Sequence, residues 1–154
     1  MSEGPVRVGI SCGDLNGIGL EVVLKTFEDP RMMQDLIPVL YCGAKAVNHY
    51  RKTIPGGEQL QINGIAHAQD AITKKLNVVH VWEEEAPLDP GAPSGKAATF
   101  AIRSLESAAQ DLATGKVDVL VTAPIDKHSM EQAGFAFPGH TEYLAHMAGG
   151  DAEV

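Results

Sequence analysis

Long apolar runs, cysteine and positive charge are all scarce in this sequence, and each shortage removes a class of protein. No stretch approaches the roughly 18 consecutive apolar residues of a membrane span. The opening MSEGPVRVGI has neither a basic leader nor a long apolar signal core, so a cytoplasmic location and no membrane partner are expected. Only two cysteines occur, Cys12 and Cys42, too few for a disulfide scaffold, and no CxxC pair suggests a zinc site. They read as reduced, buried thiols near strand ends. Twelve Lys and Arg stand against twenty Asp and Glu, a formal net charge of -8. A field of that sign repels polyanions, which argues against nucleic acid as a partner. The HExxH zinc pattern is absent, and His49, His67, His80, His128 and His146 show no metal-ligand spacing.

What is present suits one soluble globular unit: 44% of the 154 residues are hydrophobic and 21% charged. Residues 6–12 (VRVGISC) predict a first strand that ends in a loop at Gly13-Asp14. Ile18, Val22, Val23 and Phe27 recur at helical spacing and predict the inner face of a helix that fails at Asp29-Pro30. The continuous apolar run 37–42 (IPVLYC) suits a parallel strand covered on both faces. A helix is expected over 44–53, a break at Pro55, Gly56 and Gly57, a short strand at Leu60 and Ile62, and a stronger one over 78–82, while 64–77 is ambiguous. Residues 83–93 form a loop, and Ser94 is placed to cap a long helix with the inner stripe Ala97, Phe100, Ala101, Leu105, Ala108 and Leu112, ended by Gly115. Residues 117–122 (VDVLVT) are the clearest strand, and Met32, Met33 and Trp82 read as packing. After a helix over 141–148 and the breaker Gly149-Gly150 comes DAEV, where another strand can begin, so the fold reads as unfinished. Strands alternating with helices predict an α/β fold on a largely parallel sheet.

Three loops carry chemistry. Gly13, Gly17 and Gly19 make a GxxxGxG loop between strand and helix, either a tight turn or the spacing seen at the start of short-chain dehydrogenases. The Tyr41 and Lys45 pair that such enzymes need is in the wrong place, so Tyr41 reads as core and Lys45 as surface. Residues 122–127 (TAPIDK) follow the clearest strand, at the sheet edge where open α/β proteins collect ligands. Thr122 and Lys127 there suit a phosphate or carboxylate, while Asp126 equally suits a simple cap of the helix 127–133, closed by Gly134. In residues 135–142 (FAFPGHTE), Gly139, His140 and Thr141 stand just before a predicted helix, where hydroxyl, imidazole and first amides suit an anion, while Thr141 also suits a simple cap. Glu142 and His146, four apart, read as a helix-stabilising pair.

In order along the chain, ISCGDLNGIGLEVVLK, VLVTAPIDKHSM and FPGHTEYLA resemble the 4-hydroxythreonine-4-phosphate dehydrogenase family from Val6 onward, which displaces the short-chain dehydrogenase reading. The resemblance implies a three-layer α/β sandwich of the isocitrate and isopropylmalate dehydrogenase type, incomplete here. Residues 1–154 would be the amino-terminal half of a two-domain chain, the carboxyl-terminal half being absent. It implies a homodimer, with the active site in the cleft between domains. It further implies that NAD or NADP oxidises 4-phosphooxy-L-threonine to a β-keto acid, which decarboxylates to 3-amino-2-oxopropyl phosphate in vitamin B6 synthesis, and that a divalent metal ion assists, its ligands expected beyond residue 154. His140 and Thr141 match the family's substrate-binding pair, and Lys127 and Asp14 match positions lining the same cleft. On this reading the chain alone does not turn over. The alternatives are a dehydrogenase of phosphorylated threonate or erythronate, and a non-redox module that binds a phosphorylated ligand.

Overall fold

The computed structural model describes residues 4–149; Gly150 and the DAEV segment, with the strand expected there, lie outside the described residues. Five strands form one sheet: β1 (Val6–Ser11), β2 (Leu36–Cys42), β3 (Ile62–Ile65), β4 (Leu76–His80) and β5 (Val119–Thr122). Every neighbouring pair is parallel, in the order β3-β4-β2-β1-β5. The helices are α1 (Gly19–Thr26), α2 (Ala44–Thr53), α3 (Gly95–Ala113), α4 (Lys127–Gln132) and α5 (His140–Met147).

Strand β2 explains the arrangement. Val39, Leu40, Tyr41 and Cys42 are all fully buried because helices cover both faces of the sheet. On one face Leu20 and Leu24 of α1 and Val47 of α2 pack with Ile10, Leu40 and Val78. On the other Ala108 of α3 packs with Val39, Tyr41 and Val79. Alanines at 97, 98, 101, 108 and 109 let α3 lie close to its neighbours. Ser104, fully buried on the same helix, fastens it: its Oγ accepts from the Cys12 amide at 2.9 Å and donates to the Tyr41 carbonyl at 2.6 Å. Ser94 caps α3 as expected, accepting from the Ala97 amide at 3.3 Å. Cys12 and Cys42 are buried free thiols at the ends of neighbouring strands, and burial pushes the Cys42 thiol well above its usual range.

Several expectations are corrected. Ile18 and Val22 face outward, 61% and 47% exposed; the buried stripe of α1 is Leu20, Val23, Leu24 and, just beyond it, Phe27. The third strand starts at Ile62, and Leu60 instead tucks its side chain into the core while its carbonyl accepts from Arg51. β4 runs two residues ahead of the expected 78–82 because Asn77 sits inside it, fully buried. Its Nδ2 donates to the Pro38 and Ile72 carbonyls and its Oδ1 accepts from the Ile72 amide and from Asn63, so a polar residue takes a core position without an unmet hydrogen bond. Phe100 and Leu112 are only half-buried, with Ser104 and Ala109 taking more of the inner face. Met33 and Trp82 pack as expected, whereas Met32 is 43% exposed. The strand at 117–122 begins at Val119, Val117 being a buried residue ahead of it.

Candidate functional site

β1 and β5 are neighbours, with Ser11 opposite Thr122, so the two loops singled out in the sequence leave the same edge of the sheet side by side. They lock together. Gly13 has φ +68°, and a Cβ there would meet the Pro124 carbonyl oxygen at 2.3 Å, so both conformation and space demand glycine. The Asp14 amide then donates to that carbonyl at 2.9 Å. At Gly19 a Cβ would stand 2.8 Å from the Cys12 carbonyl oxygen. Protein atoms therefore fill the GxxxGxG loop, and it offers no open cradle for a dinucleotide pyrophosphate.

Asn16, 3% exposed, ties this loop to the segment 83–93. Its Oδ1 accepts from the Asp89 amide at 2.7 Å, its Nδ2 donates to the Ala92 carbonyl at 3.1 Å, and its own carbonyl accepts from the Gly91 amide at 2.7 Å. Its amide donates to Asp14 Oδ1 at 3.0 Å and fixes that carboxylate. Asp14 lines a small crevice between α3 and α4, together with Asp126 and Ser129.

Asp126 caps α4: its Oδ1 accepts from the Ser129 amide at 2.8 Å, which holds the carboxyl below the usual carboxylate range. Lys127, the first residue of α4, is exposed and lies across the start of α5. The stretch after α4 is pinned by Phe135, Phe137 and Tyr143, whose ring centroids are 5.4 to 5.6 Å apart. This delivers Gly139 to the N-cap of α5, one residue earlier than expected, with no side chain capping the helix. The backbone of Gly139 is ordinary extended chain, and a Cβ there would lie 3.3 Å from both Lys127 Cε and Glu142 Oε2, so the ends of these two side chains close over it.

His140 opens α5, half-buried, and its Nε2 is fully buried with no hydrogen-bond partner among the described residues. Burial, and then the Lys127 charge, hold the imidazole below its ordinary value, so it is neutral at pH 7. A buried polar atom without a partner costs about 1–3 kcal/mol, and a bound ligand is one means of meeting it. Thr141 follows, exposed. A hollow of about 520 Å³ shares Lys127 with this place but is lined otherwise by His128, Glu131, Phe135, Phe137 and Pro138, not by His140 or Thr141.

The structure thus gathers Lys127, His140 and Thr141 at one uncapped helix start. Asp14 is not among them; it lines the separate crevice with Asp126 and Ser129. Asn16 and the aromatic trio were not singled out in the sequence, although three rings within nine residues of a chain only 5% aromatic are a visible signal. The expected Glu142–His146 pair is not made: Glu142 turns toward Gly139, and His146 stacks on Phe137 at 5.2 Å. Among the described residues no group of three or more His, Cys, Asp or Glu is placed to hold a metal ion. Tyr41 is buried core, its hydroxyl donating to Asp111 at 2.7 Å, and Lys45 is exposed.

Comparison with known proteins agrees with the loop pattern. The model of the family described as pyridoxal phosphate biosynthetic protein PdxA matches residues 34–154. A 4-hydroxythreonine-4-phosphate dehydrogenase from Bacteroides thetaiotaomicron is 38% identical over 149 residues, which are 97% of this chain and 40% of the relative. A D-threonate 4-phosphate dehydrogenase from Bordetella bronchiseptica is 30% identical, over 92% of this chain and 41% of its own length. The crystal structure of a 4-hydroxythreonine-4-phosphate dehydrogenase from Burkholderia phymatum superposes with a TM-score of 0.86 at 29% identity, covering 96% of this chain and 45% of that one. The chain spans about two fifths of the length of the curated relatives it matches.

Proposed function

This chain belongs to the family of the pyridoxal phosphate biosynthetic protein PdxA, and from that membership we propose that it is the amino-terminal half of a two-domain NAD- or NADP-dependent dehydrogenase. The proposed reaction oxidises the secondary alcohol of 4-phosphooxy-L-threonine to a β-keto acid, which loses carbon dioxide to leave 3-amino-2-oxopropyl phosphate. The complete protein is proposed to be a cytoplasmic homodimer with the three-layer sandwich of isocitrate and isopropylmalate dehydrogenases. The half described here would bind the phosphorylated substrate.

One observation carries this reading: a neutral imidazole with a buried, unpaired Nε2 stands beside a lysine at an uncapped helix start. Such a place suits an anion, because the lysine charge and the helix dipole both attract it and the free amides, the Thr141 hydroxyl and an Nε2–H can donate to its oxygens. Nicotinamide, when bound, accepts the hydride, and a divalent metal, when bound, polarises the alcohol oxygen. Among the described residues no cluster of three or more ligand-type side chains suits the metal, and the glycine loop is filled by protein atoms. Both groups would be held by other parts of the complete protein.

A panel of phosphorylated hydroxy acids, scored by NADH formation with a full-length enzyme bearing this half, tests the proposal. His140→Ala should weaken substrate binding and slow oxidation by about 10- to 100-fold, the worth of a charge-assisted hydrogen bond, while His49→Ala should do neither. Equal effects of the two would discredit the site. The Bordetella relative favours a second reading in which the substrate is D-threonate 4-phosphate, and a preference for it in the panel would select that reading.

A further inference from the structure

The two cysteines of the sequence, Cys12 and Cys42, are set side by side by the sheet. β1 and β2 run parallel with Ser11 opposite Tyr41, so one residue farther along Cys12 stands opposite Cys42. Side chains alternate along a strand, which turns Ile10, Cys12, Leu40 and Cys42 to the face covered by α1 and α2, and all four pack in one core. Opposite positions on adjacent strands lie about 4.7–4.9 Å apart, inside the roughly 4.4–6.8 Å that a disulfide spans between its Cα atoms. A hydrogen bond joins the two thiols, Cys42 donating to the Cys12 sulfur. It holds the Cys12 thiol below its ordinary value, while burial raises that of Cys42.

Burial and contact decide how such a pair reacts. Both thiols are 0% exposed, so an oxidant meets them only in a local opening of the fold, and the closed state keeps them reduced. Once reached, Cys12 is the sulfur that reacts, because the thiolate is the nucleophile and the hydrogen bond from Cys42 favours it. Hydrogen peroxide takes two electrons from Cys12: a sulfur to oxygen bond forms, the peroxide bond breaks, and one water departs to leave a sulfenic acid. Cys42 then attacks that sulfur, the sulfur to oxygen bond breaks, and a second water departs as the disulfide closes. With Cys42 in contact, this step outruns a second peroxide, which would carry Cys12 on to sulfinic acid. The bridge ties β2 to the first residue past β1, where the loop bearing Asp14 begins and where the Ser104 hydroxyl accepts from the Cys12 amide.

We propose that Cys12 and Cys42 form a modification site, a dithiol that oxidants of the peroxide class convert to a reversible disulfide joining the ends of β1 and β2. The test treats the native protein with hydrogen peroxide, at urea concentrations below its unfolding transition, and maps its peptides without reduction. Peptides bridged between Cys12 and Cys42 of one chain should exceed those with oxygenated sulfur, or with bridges between chains, by at least ~10-fold, because neighbouring thiols react intramolecularly. Dithiothreitol should restore both thiols. Cys42→Ser should remove the bridge and let Cys12 gain oxygen under the same treatment. Oxygenated Cys12 or bridges between chains as the main product of the unsubstituted protein would overturn the proposal. So would thiols that react only across the global unfolding transition, or not at all. Peptide mapping involves neither substrate nor nucleotide, so its outcome is independent of the reaction proposed above.

Discussion

Burial and the Lys127 ammonium act in the same direction on His140, burial the more strongly, and both favour the neutral imidazole. A histidine whose folded-state value lies below 6.5 binds fewer protons than in the unfolded chain. Its contribution to stability is therefore complete above about pH 6.5 and declines as pH falls toward the folded value. An NMR titration should place the His140 midpoint below 6.5, and Lys127→Met should raise it partway, since burial remains. A midpoint indifferent to that substitution would separate Lys127 from the site. Gly13 makes a different prediction. Gly13→Ala puts a methyl group into the Pro124 carbonyl at a positive φ, and should cost about 2–4 kcal/mol in urea denaturation. His140, Thr141 and Lys127 were legible in the sequence because helix starts and strand ends announce themselves locally. The orphaned Nε2 was not, since its burial depends on how the FAFPG stretch folds back over α4.

Among the elements, α3 is held by one hydroxyl that reaches two strands at once. Ser104→Ala leaves the Cys12 amide buried without an acceptor, and should cost about 1–3 kcal/mol. Ser94→Ala, which removes only the cap, should cost about 1 kcal/mol, and the same urea titrations check the ranking. Helix α2 matched its expected limits because Gly43 and the Pro55-Gly56-Gly57 break bracket it, and the loop 83–93 was equally plain from its prolines and acids. The register of β4 was hidden by Asn77, whose side-chain hydrogen bonds make an apolar-like core residue out of a polar one. The outward turn of Ile18 and Val22 was hidden as well, because spacing alone does not say which apolar stripe meets the sheet.

At the scale of the molecule, protection should follow position in the sheet. β2, with a partner on each side and a helix layer on each face, should give the slowest amides, and β3, at the far edge, faster ones, in native-state exchange. The parallel α/β layout was legible from the alternation of strands and helices, but the order of the strands was not. That order depends on α3 carrying the chain back across the sheet, a long-range event with no local mark. The Arg7 amide donates to Asp118, 111 residues away, and so records how late that return comes. On a ribosome adding about 5–20 residues per second, roughly 5 to 20 s separate the two ends of this bond. Throughout that interval the first strand made waits with one flank bare, so the nascent domain is at its most vulnerable to misassociation long after its opening residues have left the exit tunnel.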